Sequence, residues 1–163
     1  MIKQLIPKDY CLKCKGCCRF KEEISVWAPC LLEEEIQDLL DRKIPPASIS
    51  LKRRIHPVQV PGQEGFLCPF LNTEDNHCKI YAFRPFECQL YPFLLNLRDK
   101  KIILTVDLNC PYVQEAAKTP AFKDYTAYLA EFLNSPPQMK LLKSNPQLLQ
   151  AYEEVAEIIE LNS

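Results

Sequence analysis

Cys11-Leu12-Lys13-Cys14-Lys15-Gly16-Cys17-Cys18 is the stretch on which the reading of this chain turns. It holds two overlapping CxxC units, with Cys18 following directly. A two-residue gap lets a tight turn aim both sulfurs at one ion while its amide hydrogens donate to the thiolates, as in zinc knuckles and iron–sulfur loops. Adjacent Cys17 and Cys18 point in different directions in most backbone conformations, so they bridge two metals or serve two sites. The first twenty residues carry too little apolar periodicity for a core helix and are expected to wrap a site as loop or short turns.

Outward from this knuckle, Cys68, Cys78, Cys88 and Cys110 fall in or near segments punctuated by turns or prolines, where a loop can carry a ligand inward. Together with Cys11, Cys14, Cys17 and Cys18 they make eight candidate metal ligands. Eight thiolates satisfy two tetrahedral all-cysteine sites, or one iron–sulfur cluster and one zinc site, and spacing leaves that partition open. Excess thiolate charge calls for cations, which Lys13, Lys15, Arg19, Lys21, Lys79 and Arg84 can supply. Arg84 before Pro85 carries a planar guanidinium that can hold a carboxylate or carbonyl rigidly, which also makes it a candidate substrate anchor. Cys30, beside Leu31-Leu32, reads as a small core hydrophobe. His77 next to Cys78 is a weaker ligand candidate, and His56 before Pro57 is expected at the surface.

The chain has 163 residues, 47% of them hydrophobic and 25% charged, enough for one domain with a real core. Twenty Lys+Arg against 21 Asp+Glu leave a net charge of -1 and no global field to gather nucleic acid or anionic lipid. No stretch approaches the roughly 18 apolar residues of a membrane span, and the start lacks the apolar run of a signal peptide. A cytoplasmic protein is therefore expected, and there cysteines serve as thiolates rather than disulfides. An odd count of nine cysteines agrees, because it cannot be fully paired. The sequence holds no GxGxxG, P-loop, HExxH or GxSxG, and its three glycines cannot build the usual phosphate cradles.

Pro29, the acidic run Glu33-Glu34-Glu35, then Ile36, Leu39 and Leu40 predict an amphipathic helix over 29–42, stopped by Ile44-Pro45-Pro46. Residues 51–60 are β-like, with Pro57 confining any strand to an edge. Turns are expected at 61–65 and 72–76, and a hairpin pairs 93–98 with 102–108 through Asp99-Lys100. Trp27, Phe66, Phe70, Tyr81, Phe83, Phe86, Tyr91 and Phe93 are expected to form a core around the site. Residues 112–163 read as a helical extension with two stripes, Phe122-Tyr125-Leu129-Phe132-Leu133 and Leu148-Leu149-Tyr152-Val155-Ile158-Ile159. The whole predicts a single α+β domain over 1–163: a small cysteine-rich metal-binding core with a short antiparallel hairpin, packed with C-terminal helices.

CxxCxxCC at 11–18, Cys68-Pro69-Phe70-Leu71, Cys78-Lys79-Ile80-Tyr81-Ala82-Phe83-Arg84-Pro85-Phe86-Glu87-Cys88, Tyr91-Pro92-Phe93 and Cys110-Pro111 together resemble the CxxCxxCC cysteine-cluster family, the YkgJ-type proteins described as zinc- or iron-chelating. The resemblance covers about residues 10–111. It implies zinc or iron ions as cofactors, with a 4Fe-4S cluster as one form the iron can take, held by the eight cysteines. It also implies a role for Arg84-Pro85, which is part of the family signature. Cys30 has no counterpart in that pattern, and Lys15 stands where many members carry glycine. The family includes a larger flagellin lysine methylase, so a metal-dependent enzyme modifying a protein or peptide substrate is the alternative to a metal-binding protein. A third reading is an interaction module whose helical tail binds a protein partner.

Overall fold

The computed structural model describes residues 2–14 and 16–162 and divides into two compact units, Pro7–Gln89 and a second built from residues 1–6 with 90–163. Helices are combined with two small antiparallel sheets, and the fold is α+β. Among the described residues, no helix is long and apolar enough to cross a membrane.

In the Pro7–Gln89 unit regular structure is sparse. Helix α1 (Lys8–Cys14) leads into β1 (Arg19–Phe20), which pairs antiparallel with β2 (Phe66–Leu67). Where loop or short turns were expected, residues 8–14 form a short helix with no buried residue: Cys11 and Cys14 stand three residues apart, and that interval fits one helix face as well as it fits a turn. Helix α2 (Glu33–Asp41) starts four residues later than the sequence suggests. Residues 29–31 are committed to pairing with 53–55, since Leu31 N–H donates to Arg53 at 2.7 Å and Ile55 N–H to Pro29 at 2.9 Å. Glu35 then reaches back to accept from the Leu32 N–H at 2.9 Å, closing the first turn there.

Residues 51–60 form no continuous strand, only isolated bridges such as Ile49 to Ile55 and Val58 to Leu67. Arg53 at φ 56 turns the chain, and Pro57 between two bridges has no N–H to give. The turn at 61–65 is present, with Gly62 and Gly65 at φ 78 and 71. The 72–76 turn closes a small loop whose arms are joined by Asn72 N–H to His77 at 2.8 Å and Lys79 N–H to Phe70 at 2.8 Å. The core is Leu31, Leu39, Ile55, Phe70 and Ile80, and Cys68 and Cys78 pack against it. Helix α3 (Phe86–Leu90) ends the unit.

In the second unit the expected hairpin is present as β3 (Phe93–Arg98) and β4 (Lys101–Asp107), in register from Phe93–Val106 to Arg98–Lys101. Asp99 and Lys100 both take positive φ, 49 and 65, which gives the two-residue loop a twist matching the strands. Helices α4 (Pro111–Ala116), α5 (Pro120–Asn134) and α6 (Pro136–Ser144) follow. Thr119 caps α5 by accepting from the Phe122 N–H, and Phe122 and Tyr125 stack against Phe93 with centroids 5.6 and 5.5 Å apart.

The second helical stripe is overturned. Residues Val155–Glu160 form strand β5, antiparallel to β4. Val155, Ile158 and Ile159 are β-branched and suit a pleated surface, and a partner strand outweighs their helical spacing. Of the aromatic residues expected around the site, Phe70 and Phe86 are buried in the Pro7–Gln89 unit, Phe93 is buried in the other unit, and Tyr81 is 36% exposed.

Candidate metal centre

Seven of the eight candidate cysteines belong to the Pro7–Gln89 unit, and five local structures position them. Helix α1 sets Cys11 and Cys14 on one face. A turn closed by the Arg19 N–H on the Gly16 carbonyl presents Cys17 and Cys18. The β1–β2 ladder runs on to Cys68, whose N–H donates to the Cys18 carbonyl at 2.9 Å. Cys78 bridges Leu71 at the end of the small loop, and Cys88 sits within α3. The eighth, Cys110, lies in the other unit, buried at the N-cap of α4. Lys15, one of the expected compensating cations, lies outside the described residues.

None of the nine cysteines is in a disulfide. The Cys17 and Cys18 Sγ atoms are 4.0 Å apart. Two thiolates sharing a tetrahedral zinc with bonds near 2.3 Å have sulfurs about 3.8 Å apart, so this spacing suits a common ion. Among the described residues no three donor side chains already converge on one point as ligands do, and the sulfurs must draw together to hold an ion. The donor set fits zinc or iron: it is rich in soft thiolates and borders an apolar core.

The thiols feel one another. The hydrogen bond to Cys18, followed by desolvation, raises Cys17 well above the ordinary thiol range. For Cys18 the same bond acts downward, but the Cys68 thiol and burial outweigh it and push Cys18 up to about 12. Burial, then the charges of Cys18, Cys17 and Cys78, raises Cys88 strongly. Burial, then Cys17 and Cys14, brings Cys11 to about 11, and burial also raises Cys78. Without a metal these groups stay protonated at neutral pH, so metal uptake releases protons.

Arg84 is the cation that acts on the cluster, pulling Cys11, Cys17 and Cys78 downward. Its guanidinium lies 3.9 Å from the centroid of the Tyr81 ring, which fixes its plane. Of the other expected cations among the described residues, Arg19 donates to Asn76 at 3.0 Å, and Lys13, Lys21 and Lys79 are exposed. His77 pairs through Nδ1 with Asp75 at 3.0 Å, and His56 lies between Glu23 and the Ala47 carbonyl near the surface.

Sequence reasoning missed the carboxylates that brace this centre. Glu87 Oε2 accepts the Cys30 N–H at 2.6 Å, and Glu35 accepts the Phe86 N–H at 2.5 Å. Arg54, which donates to the Ala28 carbonyl at 2.6 Å, offsets part of the Glu87 charge. Cys30 itself is fully buried, as a core residue. The one available signal for Glu87 was its place next to Cys88.

No solved structure matches this chain. It is 28% identical over 103 residues to an uncharacterized protein of Methanocaldococcus jannaschii, an alignment covering 61% of this chain and 52% of that protein. The chain thus spans about half the length of the curated relative it matches. Residues 10–118, which include all eight candidate cysteines, match the family described as CxxCxxCC, "Putative zinc- or iron-chelating domain", and the chain belongs to that family.

Proposed function

We propose that this protein binds zinc or iron through Cys11, Cys14, Cys17, Cys18, Cys68, Cys78 and Cys88, with Cys110 as the eighth donor implied by the family pattern. The observation that carries the reading is the gathering of seven cysteines from five separate local structures into one unit, with the Cys17 and Cys18 sulfurs 4.0 Å apart. Bound zinc would fix these loops in place; iron held as a cluster would add one-electron redox chemistry. The chain's own groups bring the donors together, keep one side of the site apolar and supply a fixed cation. Such a site belongs in a reducing compartment such as the cytoplasm, where the thiols stay available.

Anaerobic purification followed by elemental analysis and an ultraviolet–visible spectrum of the same sample tests this. Stoichiometric zinc or iron, removed by a chelator with loss of stability in the cysteine-bearing loops, is the expected result. Broad visible absorption with acid-labile sulfide would identify a cluster, and colourless protein with zinc a mononuclear or binuclear site. Protein free of both metals, with its cysteines paired as disulfides, would overturn the reading.

A further inference from the structure

The β1–β2 register pairs Arg19 with Leu67 and Phe20 with Phe66, so the next residues along, Cys18 and Cys68, face each other. The hydrogen bond from the Cys68 N–H to the Cys18 carbonyl continues the ladder by that step. Directly opposed residues of an antiparallel pair stand about 4.5–5.5 Å apart at Cα. That lies inside the range of about 4.4–6.8 Å at which a disulfide closes without backbone movement. Directly opposed residues of such a pair place their side chains on the same face of the ladder. Cys17 is also close to Cys18, but a bond between sequence neighbours closes a small ring through their shared peptide group and forces it from its planar trans form. Of the two partners available to Cys18, the cross-strand one forms the less strained bond.

We propose that Cys18 and Cys68 are the oxidation site of this chain, closed to a disulfide by a two-electron oxidant of the peroxide class. One sulfur attacks the O–O bond and becomes a sulfenic acid, releasing one water. The second thiol displaces the sulfenic oxygen as another water, and the sulfur–sulfur bond forms. Two thiols lose two electrons and two protons in all, and one hydrogen peroxide becomes two waters. Where the site holds metal, the step removes two of its donors and expels the ion. That half of the proposal rests on the metal-binding reading above; the choice of Cys68 as partner does not.

The test is to treat the full chain with hydrogen peroxide, metal-free and zinc-loaded, then to block remaining thiols and map the digest by mass spectrometry. The expected product is a peptide pair joined through Cys18 and Cys68, 2 Da lighter than the two thiol peptides together and separated by a dithiol reductant. Fragmentation distinguishes Cys18 from Cys17. Zinc-loaded protein should oxidise several-fold more slowly and release zinc, read by a chromogenic chelator, in step with the cross-link. A Cys68→Ser chain should give no such peptide pair. A dominant Cys17–Cys18 bond, a different pair, or sulfinic acid without a cross-link would overturn the proposal. A Cys18–Cys68 bond in a chain that takes up neither zinc nor iron would uphold it and remove the metal reading instead.

Discussion

Glu87 and Cys30 are joined by a 2.6 Å hydrogen bond from the Cys30 amide to the Glu87 carboxylate, 57 positions apart in sequence. Glu35 answers it in the other direction, since it leaves α2 to accept the amide of Phe86 at the head of α3. The two carboxylates clasp the helix that carries Cys88 to the segment that begins α2.

Both carboxylates are raised by burial, Glu87 to about 7. A carboxyl group whose folded value exceeds its unfolded one favours folding fully below the ordinary carboxyl range near 4.5, and that contribution is lost as pH rises through the folded value. Metal-free protein should therefore be more resistant to urea at pH 5 than at pH 8, by about 1–3 kcal/mol. Glu87→Gln should flatten the difference. A wild-type stability that is level from pH 5 to 8 would contradict the burial of these groups.

Gly65 sits at φ 71, and a Cβ there would lie 2.7 Å from the Phe20 carbonyl oxygen. Gly65→Ala should cost about 1–3 kcal/mol through backbone strain and a weakened β1–β2 ladder. Gly62, at φ 78, has nothing within 4 Å of its would-be Cβ, so Gly62→Ala should lose clearly less. Denaturant midpoints of the two variants at equal slope make the comparison.

At Gly16 the backbone accepts alanine, but the new methyl would stand 3.3 Å from Cys14 Sγ. Gly16→Ala should leave the circular-dichroism spectrum unchanged while weakening metal uptake several-fold. Cobalt titration, followed by its thiolate charge-transfer band, reads this directly, and unaltered affinity would show that Cys14 is not a ligand in its present place.

Arg84 should matter through its charge and its plane. Groups that support metal ligands from behind typically contribute about 10–100-fold in metal affinity, and Arg84→Ala should fall in that range by chelator competition. Arg84→Lys restores the charge without the stacked guanidinium and should recover only part of the loss. Equal affinities for all three proteins would exclude Arg84 from the site.

The hairpin at 93–107 was legible because two β-rich runs flank a polar Asp99-Lys100 turn, and α5 because its apolar stripe falls at helical spacing. Cysteine spacing alone picked out the candidate ligands. Helix α1 was hidden because its regular positions are cysteines, which count as ligands rather than as an apolar face. Strand β5 was hidden because Val155, Ile158 and Ile159 also fit a helical period, and only β4 decides between the two. The Glu35–Glu87 clasp joins residues far apart in sequence, and nothing local to either announces it.

The β1–β2 ladder has one more consequence. Phe20 and Phe66 are 46 positions apart, and bringing such points together costs about 3 kcal/mol of loop-closure entropy. Two-residue strands repay little of that, so the ladder cannot lead folding. It must close after the Leu31–Ile55–Phe70 core has drawn its flanks together, or at the moment an ion ties the thiols. In the cell, the order of events would then be core first and knuckle last, leaving the ends of the cysteine cluster open to a metal donor until the chain is nearly complete.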